Sequence, residues 1–522
     1  MKLFKYIAGI SIGISLLVFP SCDTELNLLP STDIEEEVTF QTLEGAEAAL
    51  NGAYRCLRVS EYNHYNINHL FFIPEVMGDD MFISKNSNYG RYKNEYEYSV
   101  IPSVTQATET WATPYLLIAN TNLIINGMGE LPDSDKKTSI LGQAHALRGY
   151  MYHFLVRLFA QPYSVNPDAP GVVLREVVST APVKRSTVKD AYTLIVNDLE
   201  FAAKNLKPGS DKALIDQKAA QALLARVYLD MGAEYADKAV DMAQKAVDGK
   251  KLMDQDAYIT EEFSSINSET FWSFSTVSGN HGGYLSVASF YYLAGGGNYI
   301  KKADGSYEVD KEGNKVINYT DVIDGYNSMK VSKNFIEMFD DKDVRKKLFP
   351  KIKEKKNPAD PNDDTMIETQ DFLSYENEYF TTKHRHKEGA LGIADLNMIR
   401  AAEMYLIIAE VEADRNQSGK AKDALNVLRE ARGLDKFEGT GQALVDAIQL
   451  ERRFELFGEG HRIFDMKRRK QPLNRVGLQG HWAKNVEVIP ANDNIFSFPI
   501  PQKEFDGNKE LKFPEDQNPG YY

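Results

Sequence analysis

Two stretches of this chain repeat one pattern, and that repetition limits the possible fold more than any other feature. Residues 217–247 read QKAAQALLARVYLDMGAEYADKAVDMAQKAV, and residues 397–432 read NMIRAAEMYLIIAEVEADRNQSGKAKDALNVLREAR. Each holds two helix-length segments with apolar or small residues every three to four positions, the first pair joined at Gly232. Small residues at Ala225 and Ala239, with Tyr228 beside them, let two helices approach closely, as in a tetratricopeptide unit. Such a unit buries its stripe only against neighbours, so recurrence predicts a helical-repeat scaffold. Further stripes fit the same reading. Leu43, Ala46, Ala49, Leu50 and Ala53 share one face. Trp111, Tyr115, Ile118 and Leu123 mark a helix over 105–128. Ile140, Ala144, Leu147, Met151 and Leu155 mark another over 137–160, and a fourth helix is expected over 187–206.

Between the two copies the character changes. Residues 251–394 are rich in Gly and Tyr, with weak helical periodicity, and include FWSFSTVSGNHGGYLSVASFYYLAGGGNYI and charged runs at 301–318 and 340–365. An irregular insertion on a rigid scaffold is where binding residues concentrate. The expected organisation is therefore a leader over 1–21, a tether over 22–40, an N-terminal helical part over 41–250, the insertion over 251–394 and a C-terminal part over 395–522. The predicted fold is mainly α, a tetratricopeptide-like scaffold with an irregular insertion containing short strands.

Catalytic signatures are scarce. The sequence has no nucleophile elbow, P-loop, GxGxxG or HExxH. His384, His386 and Glu388 would share a face on a strand, but three such residues within five are common by chance on a charged loop. Asp360, Asn362 and Asp364 resemble a calcium loop superficially, yet Thr365 stands where the loop needs Gly and Asp371 where it needs Glu. Asp79 and Asp80 are adjacent, so on a strand they would point to opposite faces, unlike a glycosidase pair. His461 and Asp465, in LFGEGHRIFDMKRR, are spaced to meet on a helix. No Ser or Cys nucleophile accompanies them, and Gly458 and Gly460 end the preceding helix. The expectation is a structural contact. Catalytic residues, metal and cofactor are all expected to be none.

The N-terminus MKLFKYIAGISIGISLLVFPSC has early lysines, one apolar run and a small residue before Cys22, the order of a secretory signal. It resembles the lipobox of a bacterial lipoprotein, which makes Cys22 the expected lipid anchor. Acidic residues behind it, Asp23 and Glu25, resemble a surface-export signal. Cys56 is then a lone thiol. No later run approaches the length of a membrane span. The formal net charge of −15 argues against nucleic acid as a partner.

Several motifs, in order, carry a family resemblance: Trp111-x3-Tyr115…Asn120, QAHALRGYMYHFLVRLFAQP, RAAEMYLIIAE, ERRFELFGEGHRIFDMKR, FPIPQKEFDGN and QNPGY. Together they resemble the SusD/RagB family of Bacteroidota surface lipoproteins over nearly the whole mature chain. The resemblance implies a scaffold of four tetratricopeptide-like units, anchorage at the outer face of the outer membrane and partnership with a SusC-like TonB-dependent barrel. The function it implies is non-catalytic capture of an oligosaccharide. Peptide cargo on the same scaffold, or a surface glycoside hydrolase, are the alternatives. Sugar rings stack on aromatic faces while their hydroxyls seek Asn, Asp and Arg. Two segments meet that need, and the expected ligand residues are Asp80, Asn88, Tyr89, Arg91 and Tyr92 in one, and Tyr284, Tyr291, Tyr292, Asn298 and Tyr299 in the other. Trp111 and Trp272 fall in scaffold motifs and are expected to be buried.

Overall fold

The structure is a computed structural model and describes residues 39–57, 66–83, 88, 90–277, 283–291, 298–299, 302, 304, 306, 317–318, 326, 328–349, 379–387, 392–478 and 486–521. Cys22, the leader, Asp360, Asn362, Asp364, Glu388 and Trp482 lie outside these residues.

Helices dominate. The first part comprises α1 (Leu43–Arg55), α2 (Asn66–Val76), α3 (Lys93–Tyr96), α4 (Thr105–Gly127), α5 (Asp135–Phe159), α6 (Val188–Asn205), α7 (Gln217–Met231) and α8 (Ala236–Val247). After it come the short α9 (Gln255–Tyr258), α10 (Val287–Tyr291) and α11 (Lys333–Ile336). The C-terminal part adds α12 (Ala401–Asp414), α13 (Ser418–Ala431), α14 (Gln442–Glu455), α15 (Arg462–Arg468) and α16 (Gln502–Gly507). Helix starts follow capping chemistry. The hydroxyl of Ser134 accepts from the Lys137 N–H ahead of α5, and Thr187 forms a reciprocal capping box with Asp190 ahead of α6. Gly232, at φ 87°, makes the tight turn between α7 and α8 that the repeat pattern requires. Ala225, Ala239, Ala243 and Ala246 are fully buried at the contacts of these helices, so short side chains set the spacing.

Strands occur only in antiparallel pairs among the described residues. β1 (Met81–Ile83) pairs with β7 (Met329–Val331), β2 (Pro170–Val173) with β3 (Arg185–Thr187), and β4 (Thr270–Phe274) with β8 (Leu396–Arg400). β5 (Asn298–Tyr299) pairs with β6 (Ile317–Asn318), and β9 (Leu473–Asn474) with β10 (Val488–Ile489). β8 corrects one expectation: residues 397–400 open the second repeat not as helix but as a fully buried strand, Thr270 facing Arg400 and Phe274 facing Leu396. A short apolar run that is buried all round has no periodicity to separate strand from helix.

One apolar core runs from Phe40 to Leu511 and takes in Trp111 and Trp272. Inside it lies a knot of buried ions. Glu455 accepts from Arg345 at 3.0 Å, Arg400 at 2.6 Å and Arg432 at 2.9 Å. Glu269 joins Arg400 and Arg432, Glu459 joins Lys383 and Arg400, and Glu451 with Asp343 completes the shell of Arg345, while Arg429 closes on Glu451. Five cations meet five carboxylates, so the knot is neutral. It ties the insertion (Glu269, Arg345, Lys383) to the C-terminal helices (Arg432, Glu455).

Candidate ligand-binding surface

The two segments expected to contact ligand come together in space, which their separation in sequence did not require. Their meeting point is built on α2, an apolar helix carrying Phe71, Phe72 and Ile73 into the core. At its end Glu75 Oε1 accepts the N–H groups of Gly460 and His461, both at 2.9 Å, tying α2 to the turn before α15. Burial pushes the Glu75 carboxyl up to about 7.

Past Gly78 the chain presents Asp79 and Asp80. They do not oppose each other across a strand, because they precede β1. Both turn toward the same two guanidinium groups. Arg462 Nε lies 2.7 Å from Asp79 and 3.5 Å from Asp80, while Arg453 reaches Asp79 at 3.3 Å and bonds Asp80 more closely still. Burial pushes Asp79 up, but Arg462 and Arg453 outweigh it and hold the carboxyl below the usual range. Both carboxylates are ion-paired in this way, yet burial still pushes Asp80 above the usual carboxylate range.

Arg475 fixes the next turn. Its guanidinium stacks 4.1 Å from the Tyr96 ring and donates to the carbonyls of Val76 at 2.6 Å, Gly78 at 2.8 Å and Tyr96 at 2.5 Å. The segment so held contains two non-glycine residues in the left-handed region, Tyr92 at φ 53° and Tyr98 at φ 52°. Strain of this type persists only where the surroundings over-determine it. The surroundings here are aromatic. Tyr92 meets Phe72 at 5.3 Å and Phe290 at 5.9 Å; Phe72 meets Phe290 at 4.9 Å and Tyr291 at 5.2 Å. Tyr291 stacks on His384 at 5.4 Å. The outermost layer is Arg91 over the face of Tyr326 at 4.1 Å, both half-buried, with Phe290 5.9 Å from the same guanidinium.

The expected residues lie at two depths. Asp80, Asn88, Tyr92 and Tyr291 are buried, with Asn88 and Tyr291 wholly inaccessible. A tyrosine ring serves a core as well as a platform, and sequence alone does not separate the two. Arg91 is the expected residue that reaches the outer layer. Tyr284 lies in the turn Gly283–Leu285, and Asn298 and Tyr299 form β5; for these three the structure describes the backbone. Tyr89 and Tyr292 lie outside the described residues. Tyr326, Phe290, Glu75, Arg453 and Arg462 went unassigned. Nothing in DGYNS marks Tyr326, Phe290 stands in the insertion among the expected tyrosines, Arg453 and Arg462 sit in the family signature, and no motif singles out Glu75.

The expected structural role of His461 agrees with its surroundings. It is buried, burial lowers its pKa to about 3, and Asp465 gives its carboxylate to Arg452 at 2.8 Å and Arg468 at 3.0 Å. His384 bonds the Gly458 carbonyl at 2.9 Å and His386 accepts from the Gly392 N–H at 2.9 Å. Among the described residues no group of three or more His, Cys, Asp or Glu converges as a metal site. Cys56 is half-buried, accepts from Asn120 at 3.2 Å, and burial pushes its thiol up. Among the described residues no helix is long and apolar enough to cross a membrane.

Comparison with known proteins places this architecture. A sequence profile described as "SusD family" matches residues 292–521, and one described as "Starch-binding associating with outer membrane" matches residues 28–229. A SusD-like protein, P38, of Formosa agariphila is 25% identical over 512 residues, covering 91% of this chain and 94% of the relative. A SusD superfamily protein from Bacteroides thetaiotaomicron superposes with a TM-score of 0.74 at 27% identity, covering 92% of this chain and 100% of that one. A surface glycan-binding protein A from Bacteroides fluxus has the same fold, with a TM-score of 0.67 at 21% identity, over 92% of this chain and 100% of its own.

Proposed function

We propose, from the premise that the chain belongs to the SusD family, that it is a non-catalytic surface lipoprotein that captures an oligosaccharide and passes it to a SusC-like TonB-dependent barrel. The observation that carries the binding part is the Arg91–Tyr326 layer on the aromatic cluster. A guanidinium stacked over a ring offers a flat platform for the C–H side of a sugar and donors for its hydroxyls. The clamp of Asp79 and Asp80 by Arg453 and Arg462, and the three carbonyls held by Arg475, keep that layer in place before ligand arrives. Preorganisation of this sort limits the entropy lost on binding.

Support for glycan as cargo comes from the profile over residues 28–229, whose description is starch binding with association to the outer membrane. The same description favours the outer membrane as location. Anchorage through Cys22, outward orientation and the barrel partner belong to the proposal, as do contacts from Tyr89, Tyr284, Tyr292, Asn298 and Tyr299. Absence of catalysis is favoured by the engagement of Asp79 and Asp80 with arginine.

Calorimetric titration of the chain from residue 23 against plant, host and microbial oligosaccharides tests the reading. One glycan class should bind saturably, with no new reducing ends. Arg91→Ala and Tyr326→Ala should each weaken it about fivefold, the worth of roughly one aromatic contact. Unchanged affinity in both variants would sink the proposed surface. Release of reducing ends would point to a hydrolase, and binding of peptides alone would change the cargo.

A further inference from the structure

A second concavity lies away from the Arg91–Tyr326 layer. It is a groove of about 340 Å³ between one face of α4, the chain after β2 and the start of α16, lined by Trp111, Tyr115, Ile118, Val177, Val178 and Pro501 among others. Its polar tips are already engaged. Trp111 Nε1 donates to Glu504 at 3.0 Å, the Tyr115 hydroxyl donates to the Val173 carbonyl at 2.6 Å, and Asn122 donates to the Arg175 carbonyl at 2.9 Å. Apart from Arg175 and Lys503, what remains for a visitor is largely apolar, and Val177 and Val178 stand 58% and 55% exposed. Exposed valines in tandem beside an aromatic floor are unusual on a chain so rich in surface charge.

We propose that the occupant is this chain's own tether, with Leu26 and Leu28 of the stretch DTELNLLPSTDIEEEV seated against Val177, Val178 and Tyr115. Four observations point there. In an extended strand, residues two apart share a face, which gives Leu26 and Leu28 one apolar side. The signs of charge are opposite, because Asp23 and Glu25 precede the leucines on the strand's outer face while Arg175 and Lys503 line the groove. The only carboxylate in the lining, Glu504, is occupied by Trp111 and by Asn508 at 2.9 Å. The reach also closes. The described chain begins at Thr39, and the next residue, Phe40, packs where a side chain on Gly127 would sit, at the end of α4. From Gly127 to Tyr115 is roughly 18 Å along a helix. Residues 29–38 can span about 33 Å when extended.

Seated in this way, the tether would leave only residues 23–25 between the body and Cys22. The body would then stand close over its anchor instead of swinging on a long leash. That consequence rests on the lipoprotein reading above, whereas the docking itself does not.

Disulfide trapping tests the docking without membrane or ligand. In the chain from residue 23 carrying Cys56→Ala, Leu28→Cys is combined with Val178→Cys and, as control, with Leu116→Cys, which is also exposed, lies at a similar reach along α4 and is not part of the groove lining. In a glutathione buffer, a docked tether should give the groove pair an effective concentration about 100-fold above the control, since an undocked flexible segment samples both sites at around millimolar levels. Adding Leu26→Asp should return the yield to the control value. Equal yields for both pairs overturn the proposal, and so does a groove pair that forms only between two molecules, which would make a second copy the occupant. Failure to bind glycan leaves this result untouched, so the two readings fail separately.

Discussion

Glu95 is buried in α3, three residues after Tyr92, and neither of its carboxylate oxygens has a hydrogen-bond partner among the described residues. Burial raises its pKa from 4.5 to about 7. Between those values the folded chain keeps a proton that the unfolded chain releases, so stability falls as pH rises from about 4.5 to about 7. Glu95→Gln, which is neutral at every pH, should match the parent in urea unfolding at pH 4.5 and exceed it by about 1–3 kcal/mol at pH 8. An equal gain at both pH values would show that the carboxylate is solvated. Lys467 runs the opposite way. Burial lowers it to about 7, so its contribution favours the folded chain as pH rises from 7 toward 10.5. Neither group was legible in the sequence. Glu95 stands in KNEYEY and Lys467 in DMKRR, where charged residues would ordinarily face water, and only the fold reveals that they do not.

Elements were more legible than residues. The stripes on 105–128, 137–160 and 187–206 correspond to Thr105–Gly127, Asp135–Phe159 and Val188–Asn205, because long amphipathic periods survive tertiary context. Short elements did not come through: β8, α10 and the two-residue strands are set by long-range pairing that no local window contains. The family signature was legible as a helix stop, and the structure explains why it needs two glycines. Gly458 and Gly460 have φ of 75° and 81°. A Cβ on Gly458 would meet nothing closer than 3.4 Å, whereas one on Gly460 would lie 2.2 Å from the Leu70 carbonyl oxygen. Gly458→Ala should therefore cost only the left-handed strain, about 1–2 kcal/mol, and Gly460→Ala clearly more. Denaturant midpoints rank the two, and a reversed order would refute the close approach of α2. Because Glu75 bonds the N–H of Gly460, the second variant should also weaken glycan binding.

For the molecule as a whole, the helical-repeat class was legible, whereas the way its parts are joined was not. The arginines and glutamates of the ionic knot lie up to 190 residues apart in sequence, from Glu269 to Glu459, and each on its own resembles a surface charge. Glu455 illustrates the energetics. Burial opposes its ionisation, but Arg432, Arg400 and Arg345 hold it well below the ordinary range. Its stabilising effect is thus present above pH 4.5 and fades in acid. Glu455→Gln would leave buried guanidinium groups short of a counter-charge and should cost about 3–5 kcal/mol at pH 7, read as a large drop in thermal midpoint. A change below about 1 kcal/mol would mean that water enters the knot. The neutrality of that knot has a further consequence. Five cations, four of them buried, cancel five buried anions, so the knot contributes nothing to the net charge of −15, and the excess falls to the rest of the chain. Copies planted side by side would repel one another over about 8 Å at physiological salt and keep their own spacing in a crowded layer. Light scattering should register this as a second virial coefficient that shrinks when salt is raised.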